Sequence, residues 1–112
     1  MDGDRRVTSM DFLNEFTQRD EGRIKKYIGI YLSSAVENIP KLQELLKEEN
    51  WDELKKMIHS IKPHFDIMGM KETKASAEKI ESILLEKKNL DVIPEMINDL
   101  VSEIELSLKE LG

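Results

Sequence analysis

The 112-residue chain holds two histidines and no cysteine. The missing thiols rule out disulfides, thiolate zinc sites, iron–sulfur clusters and cysteine nucleophiles together. Nucleophilic or ligand chemistry therefore falls to His59 and His64, five residues apart. On one helix that spacing turns the two rings about 140° away from each other, so they do not share a metal ion. There is no Gly-x-Gly pattern, no phosphate-binding loop and no His-Glu-x-x-His. Carboxylates are numerous but spread over polar positions. Glu48-Glu49 and Asp52-Glu53 read as surface and capping residues rather than as an acid–base couple.

The segment Ile58-His59-Ser60-Ile61-Lys62-Pro63-His64-Phe65-Asp66-Ile67-Met68-Gly69-Met70 carries the remaining possibility. Lys55, His59, Lys62 and Asp66 follow helical steps of four, three and four and form one polar stripe. An imidazole is partly neutral near pH 7 and can act as a nucleophile. A lysine one turn away can balance the charge of a phosphoryl group placed on the ring. By itself a His-x-x-Lys pair is most often a solvated helix face. His64 sits near Met57, Ile61 and Met68 at the edge of the apolar face, and its expected role is packing, with a hydrogen bond to its ring.

The elements that would position this stripe are helices. Residues 1–7 read as a loose polar tail, with a single domain over 8–112. A short helix starts near Thr8 or Ser9 and runs to about Gln18; Thr8 and Asp11 resemble a capping box, and Met10, Leu13 and Phe16 share a side. A second helix spans roughly 21–48 on the stripe Ile24, Ile28, Tyr31, Ala35, Leu42 and Leu45, which keeps its phase across Pro40 and so predicts a kink rather than a break. The third starts at Asn50-Trp51-Asp52-Glu53, with Asn50 as cap and Glu53 reaching back. It buries Leu54, Ile58, Ile61, Phe65 and Met68 and ends at Gly69. A fourth covers about 72–88 with Ala77, Ile80 and Leu84 inward. The fifth covers about 92–111, capped by Asp91, with Pro94 in its first turn. Its inward residues are Ile93, Ile97, Leu100, Ile104, Leu108 and Leu111. Four long amphipathic helices on short loops predict an all-α fold: an antiparallel up-and-down four-helix bundle with a short extra N-terminal helix across one end.

Composition agrees. Charged residues make up 36% of the chain and apolar ones 39%, with five Gly and three Pro, as in a helical soluble domain. The net charge of −6 disfavours binding to nucleic acid or to an anionic membrane surface. No apolar run approaches the roughly 20 residues of a membrane span, and no secretory signal follows the polar start, so a cytoplasmic location is expected.

Taken together, these residues resemble the histidine-containing phosphotransfer (HPt) family. His59, Lys62, Pro63 and Gly69 fall where that family has histidine, lysine three on, a small residue four on and glycine ten on. Tyr31-Leu32-Ser33-Ser34-Ala35-Val36-Glu37-Asn38-Ile39-Pro40-Lys41-Leu42 and Asn50-Trp51-Asp52-Glu53-Leu54 are similar to the stretches that precede the family's histidine, and the resemblance covers about residues 8–111. One departure is Pro63, where the family usually has glycine. Proline cannot donate to the carbonyl of His59 and crowds it. The helix is expected to bend just after the histidine, and the bend would either tilt its side chain outward toward a partner or be a tolerated kink without functional effect.

The resemblance implies a relay. His59 would accept a phosphoryl group from the phospho-aspartate of a response-regulator receiver domain, or of a receiver fused to a hybrid sensor histidine kinase, and pass it to a second receiver. Lys62 would stabilise the phosphoryl charge. The chain would be no kinase and need no cofactor or metal of its own, the Mg²⁺ lying in the receiver's acidic pocket. Lys55, Lys56, Lys62, Pro63 and Asp66 would contact the partner, Gly69 would give clearance, and Leu13 and Phe16 of the first helix would help, unless they serve as lids on the bundle. Two other readings stay open: a receiver-binding module of the same fold that takes no phosphate, and a plain helical adaptor.

Overall fold

The computed structural model describes residues 6–112. Five α-helices follow in order: α1 (Asp11–Phe16), α2 (Glu21–Lys47), α3 (Trp51–Ile67), α4 (Lys71–Glu86) and α5 (Ile93–Leu111), with a 3₁₀ turn, Leu90–Val92, leading into α5. The four long helices pack α2 on α3, α3 on α4, α4 on α5 and α5 back on α2, closing the bundle, while α1 lies against α3. No strand occurs among the described residues.

Amphipathic periodicity is what closes the ring. Leu54, Ile58, Ile61, Phe65 and Met68 of the third helical segment are buried against Ala77, Ile80 and Leu84 of α4 and Ile97, Leu100 and Ile104 of α5. Tyr31, Ala35 and Leu42 are the buried residues of α2. Each such aliphatic or aromatic side chain contributes about 1.5–3 kcal/mol by leaving water. Helix α2 runs unbroken through Pro40, and α3 runs unbroken through Pro63.

The helix ends explain the turns, and two differ from the expectation. Asn50 caps α3 by accepting from the Glu53 amide at 3.4 Å, and Asp20 caps α2 by accepting from Arg23 at 3.1 Å. Asp91 is not the cap of α5: it sits inside the 3₁₀ turn, and α5 starts at Ile93 without a side-chain cap. Nor does Thr8 form a capping box. Its hydroxyl reaches away from α1 and donates to Glu110 at 2.6 Å. Of the expected tail over 1–7, residues 1–5 lie outside the described residues, whereas Val7 is fastened to Glu110 through its amide at 2.9 Å.

Helix α1 is also turned differently from the expected single apolar side. Leu13 is fully buried, but Phe16 is 47% exposed. Phe12, one turn earlier, is 46% exposed and its ring stacks on that of Phe16 at 5.8 Å. Leu13 anchors the helix; the two phenylalanines face outward together.

Candidate functional site

The site is built on the α3–α4 hairpin. Helix α3 ends in a left-handed turn at Gly69, with φ of 65°, and α4 returns antiparallel. Residues equidistant from that turn therefore face each other. Asp66 and Lys74, each four residues from Met70, form an ion pair at 2.8 Å. His59 and Glu81, each eleven residues from Met70, meet the same way: His59 Nδ1 lies 2.8 Å from a Glu81 carboxylate oxygen. Lys87 and Asp52 pair at 3.5 Å near the far end.

Glu81 holds two groups at once. One carboxylate oxygen contacts His59 Nδ1, and the other contacts Lys62 Nζ at 2.7 Å. The Lys62 ammonium is the first cause that holds the Glu81 carboxyl below its ordinary value, against a partial burial that raises it; the hydrogen bond from His59 adds to the lowering. A carboxylate can only accept, so Nδ1 is the ring nitrogen that carries the proton. In the neutral ring Nε2 then carries the lone pair, on a side chain 73% exposed. A ring pinned through one nitrogen and open at the other is oriented for attack by the second. Lys62, whose side chain is 19% exposed, covers the seam with its stem and keeps its charge beside the ring.

The other expected residues distribute as follows. Lys56 and Pro63 are exposed on α3, and Lys55 is half-buried. Lys56 has Glu53 at 3.7 Å. Asp66, on the face of His59 two turns further along, borders a hollow with Phe12, Glu15, Gly69, Lys71 and Lys74. At 1.5 Å rise per residue this hollow begins about 10 Å along the helix from His59. Phe16 stands beside it, its ring edge-on to Tyr27 at 5.4 Å. Leu13 is buried and takes no part in any outer surface. The space at Gly69 is used by the chain itself: a Cβ there would collide with the backbone carbonyl of Ser9.

His64 lies on the other side of α3. It is half-buried, with the Tyr31 ring 6.4 Å away. The buried Tyr31 hydroxyl is paired with Ser107 at 2.6 Å rather than with the imidazole. Burial pushes the Tyr31 hydroxyl above its ordinary value, more than the Ser107 hydrogen bond lowers it.

Sequence reasoning missed Glu81. Its signal was present: it follows Ala77 by one helical turn, at the border of the α4 apolar stripe, at the place that mirrors His59 across the turn.

The model of the Hpt domain family matches residues 26–111, from α2 to the last residue of α5. The chain belongs to this family, whose members are helical phosphotransfer modules of two-component phosphorelays. The match includes His59, Lys62, Pro63, Gly69 and Glu81 and starts beyond α1. No curated protein and no solved structure matches the chain significantly. No helix among the described residues is long and apolar enough to cross a membrane.

Proposed function

We propose that this chain is a phosphorelay intermediate with His59 as its phospho-acceptor and Nε2 as the reacting atom. The observation that carries the reading is the Glu81 carboxylate on Nδ1, 2.8 Å away, opposite an open Nε2. In the proposed step the Nε2 lone pair attacks the phosphorus of a receiver's phospho-aspartate in line. The N–P bond forms, the aspartyl O–P bond breaks, and the aspartate leaves as a carboxylate. The neutral ring is the reacting form, and in it no proton has to move, because Nε2 carries the lone pair and Nδ1 keeps its proton on Glu81. The positive charge that the ring gains is balanced by that carboxylate, and Lys62 swings from Glu81 to the phosphoryl oxygens. The reverse step hands the group to a second receiver.

Positioning and charge balance suffice for such a transfer, since a loose phosphoryl transition state asks little else of a protein. The Mg²⁺ belongs to the receiver's acidic pocket, and the chain acts as a carrier rather than a kinase. Lys55, Lys56 and Lys62 form a basic rim for that pocket on a chain of net charge −6. Pro63 and Asp66 continue the contact toward Phe12 and Phe16, which replace Leu13 as the apolar part of the docking surface. The partners are receiver domains, including one fused to a hybrid sensor kinase, at a cytoplasmic location.

The experiment is incubation with a phosphorylated receiver. Acid-labile, alkali-stable label is expected on the wild type and not on His59→Gln. Label retained in that variant, or absent from the wild type with every receiver tried, overturns the proposal.

A further inference from the structure

Glu110 sits on the last turn of α5, at the opposite end of the sequence from Val7 and Thr8, and receives both. One carboxylate oxygen accepts from the Val7 amide at 2.9 Å; the other accepts from the Thr8 amide at 3.0 Å and from the Thr8 hydroxyl at 2.6 Å. Arg6 Nε lies 3.7 Å away. The Glu110 side chain is 14% exposed, and Thr8 is buried. Burial pushes this carboxyl up, yet the bonds from Thr8 and Val7 and the Arg6 charge outweigh it and hold the group below its ordinary value. A carboxylate that accepts several bonds in a partly desolvated place is a strong fastening.

The fastened segment leads directly to α1. Ser9 donates its amide to the Met68 carbonyl at 3.0 Å and lies in the space that Gly69 leaves open. Helix α1 has six residues, and its start is held by one long bond, the Asp11 amide donating to the Ser9 hydroxyl at 3.4 Å. A helix that short does not hold itself together in water. Its place therefore depends on the anchor of Leu13, on the turn into α2 and on the strap from Val7 to Ser9. Phe12 and Phe16, carried on its outer side, contribute almost half their surface to solvent.

We propose that Glu110 is a positioning residue for receiver docking: its clasp on residues 7 and 8 sets α1, and through it the Phe12–Phe16 pair, at the edge of the His59 face. The partner surface this fits is an apolar patch beside a receiver's acidic pocket, so the inference rests on the function proposed above. Both the strap and α1 lie outside the stretch that the family model matches.

The test measures binding of wild type and variants to every receiver domain of the source organism's genome, with transfer followed separately. Glu110→Ala is expected to raise the receiver Kd by about tenfold, the scale of one lost anchor. Glu110→Gln keeps the shape but offers one accepting oxygen instead of two, and is expected to give a smaller rise. The transfer rate at saturating receiver stays at the wild-type value, and so does direct labelling of His59 by phosphoramidate, a small donor that needs no docking. Amide exchange at Thr8 and Ser9 speeds up. Phe16→Ala weakens binding in the wild type and adds nothing in the Glu110→Ala background, which a general loss of stability would not produce. If Glu110→Ala fails to fold, Glu110→Gln carries the same comparison. An unchanged Kd, or effects of the two substitutions that multiply, overturns the clasp. A wild type that binds receivers but takes no phosphoryl group overturns only the role of His59, and the Kd comparison still decides the clasp; a wild type that binds no receiver overturns both.

Discussion

The two sides of α3 carry one histidine each, and they differ in what meets the ring. On the α4 side, His59 gives one nitrogen to the Glu81 carboxylate at 2.8 Å and leaves the other in solvent. On the α2 side, His64 is half-buried against the Tyr31 ring, whose hydroxyl is committed to Ser107. An imidazole becomes a useful nucleophile when something holds it and something leaves it open. The outer seam does both for His59. The inner side half-buries His64, and no carboxylate among the described residues sets its tautomer.

The strongest way to break this comparison is to exchange the fates of the two rings. His59→Gln is expected to remove all phosphoryl acceptance, while His64→Gln keeps it and shifts the urea midpoint only modestly, by about 1 kcal/mol of stability. Next comes the holder. Glu81→Ala frees the ring and its tautomer, and transfer should slow by about tenfold or more, the scale on which metal-bound histidines respond to loss of the carboxylate that orients them. Stopped-flow measurement at saturating receiver reads this without the docking term, and an unchanged rate would make Glu81 a bystander. Lys62→Ala removes the cation paired with Glu81 but leaves Glu81 in place, so a smaller slowing, several-fold, is expected in the same assay.

The smallest effect is on stability against pH. The folded Glu81 carboxyl lies below its ordinary value of 4.5. Above 4.5 both folded and unfolded forms are ionised and the pairing contributes in full. As pH falls, the unfolded chain takes up its proton first, so the contribution shrinks and is gone once pH passes below the folded value. Urea midpoints of wild type and Glu81→Gln should therefore converge as pH drops from 6 to 3; a gap that stays constant would mean the carboxylate is not paired in solution.

Much of this was legible in the amino-acid order, for identifiable reasons. The stripes Leu54–Ile58–Ile61–Phe65 and Ile97–Leu100–Ile104 have a helical period that leaves one buried face, so the bundle follows from them. The polar phase of His59 against the apolar neighbourhood of His64 follows from the same period. What lay beyond local pattern was long-range. Thr8 looked like a cap because the nearest backbone donors were those of α1, but Glu110, 102 residues away, offered a better acceptor. Asp91 looked like a cap because the 3₁₀ turn that absorbs it carries no signal separate from a helix start. In α1 the spacing of Leu13 and Phe16 allowed one shared face, and the phase was set instead by which residue could reach the core. Glu81 needed the pairing rule of the hairpin as well as its own stripe.

The most direct test of the central claim is phosphorus and nitrogen NMR of the chain after transfer from a phosphorylated receiver. One phosphoryl group on Nε2 of His59, with Nδ1 still protonated toward Glu81, is the predicted result. A phosphoryl group on Nδ1, or on His64, would contradict it.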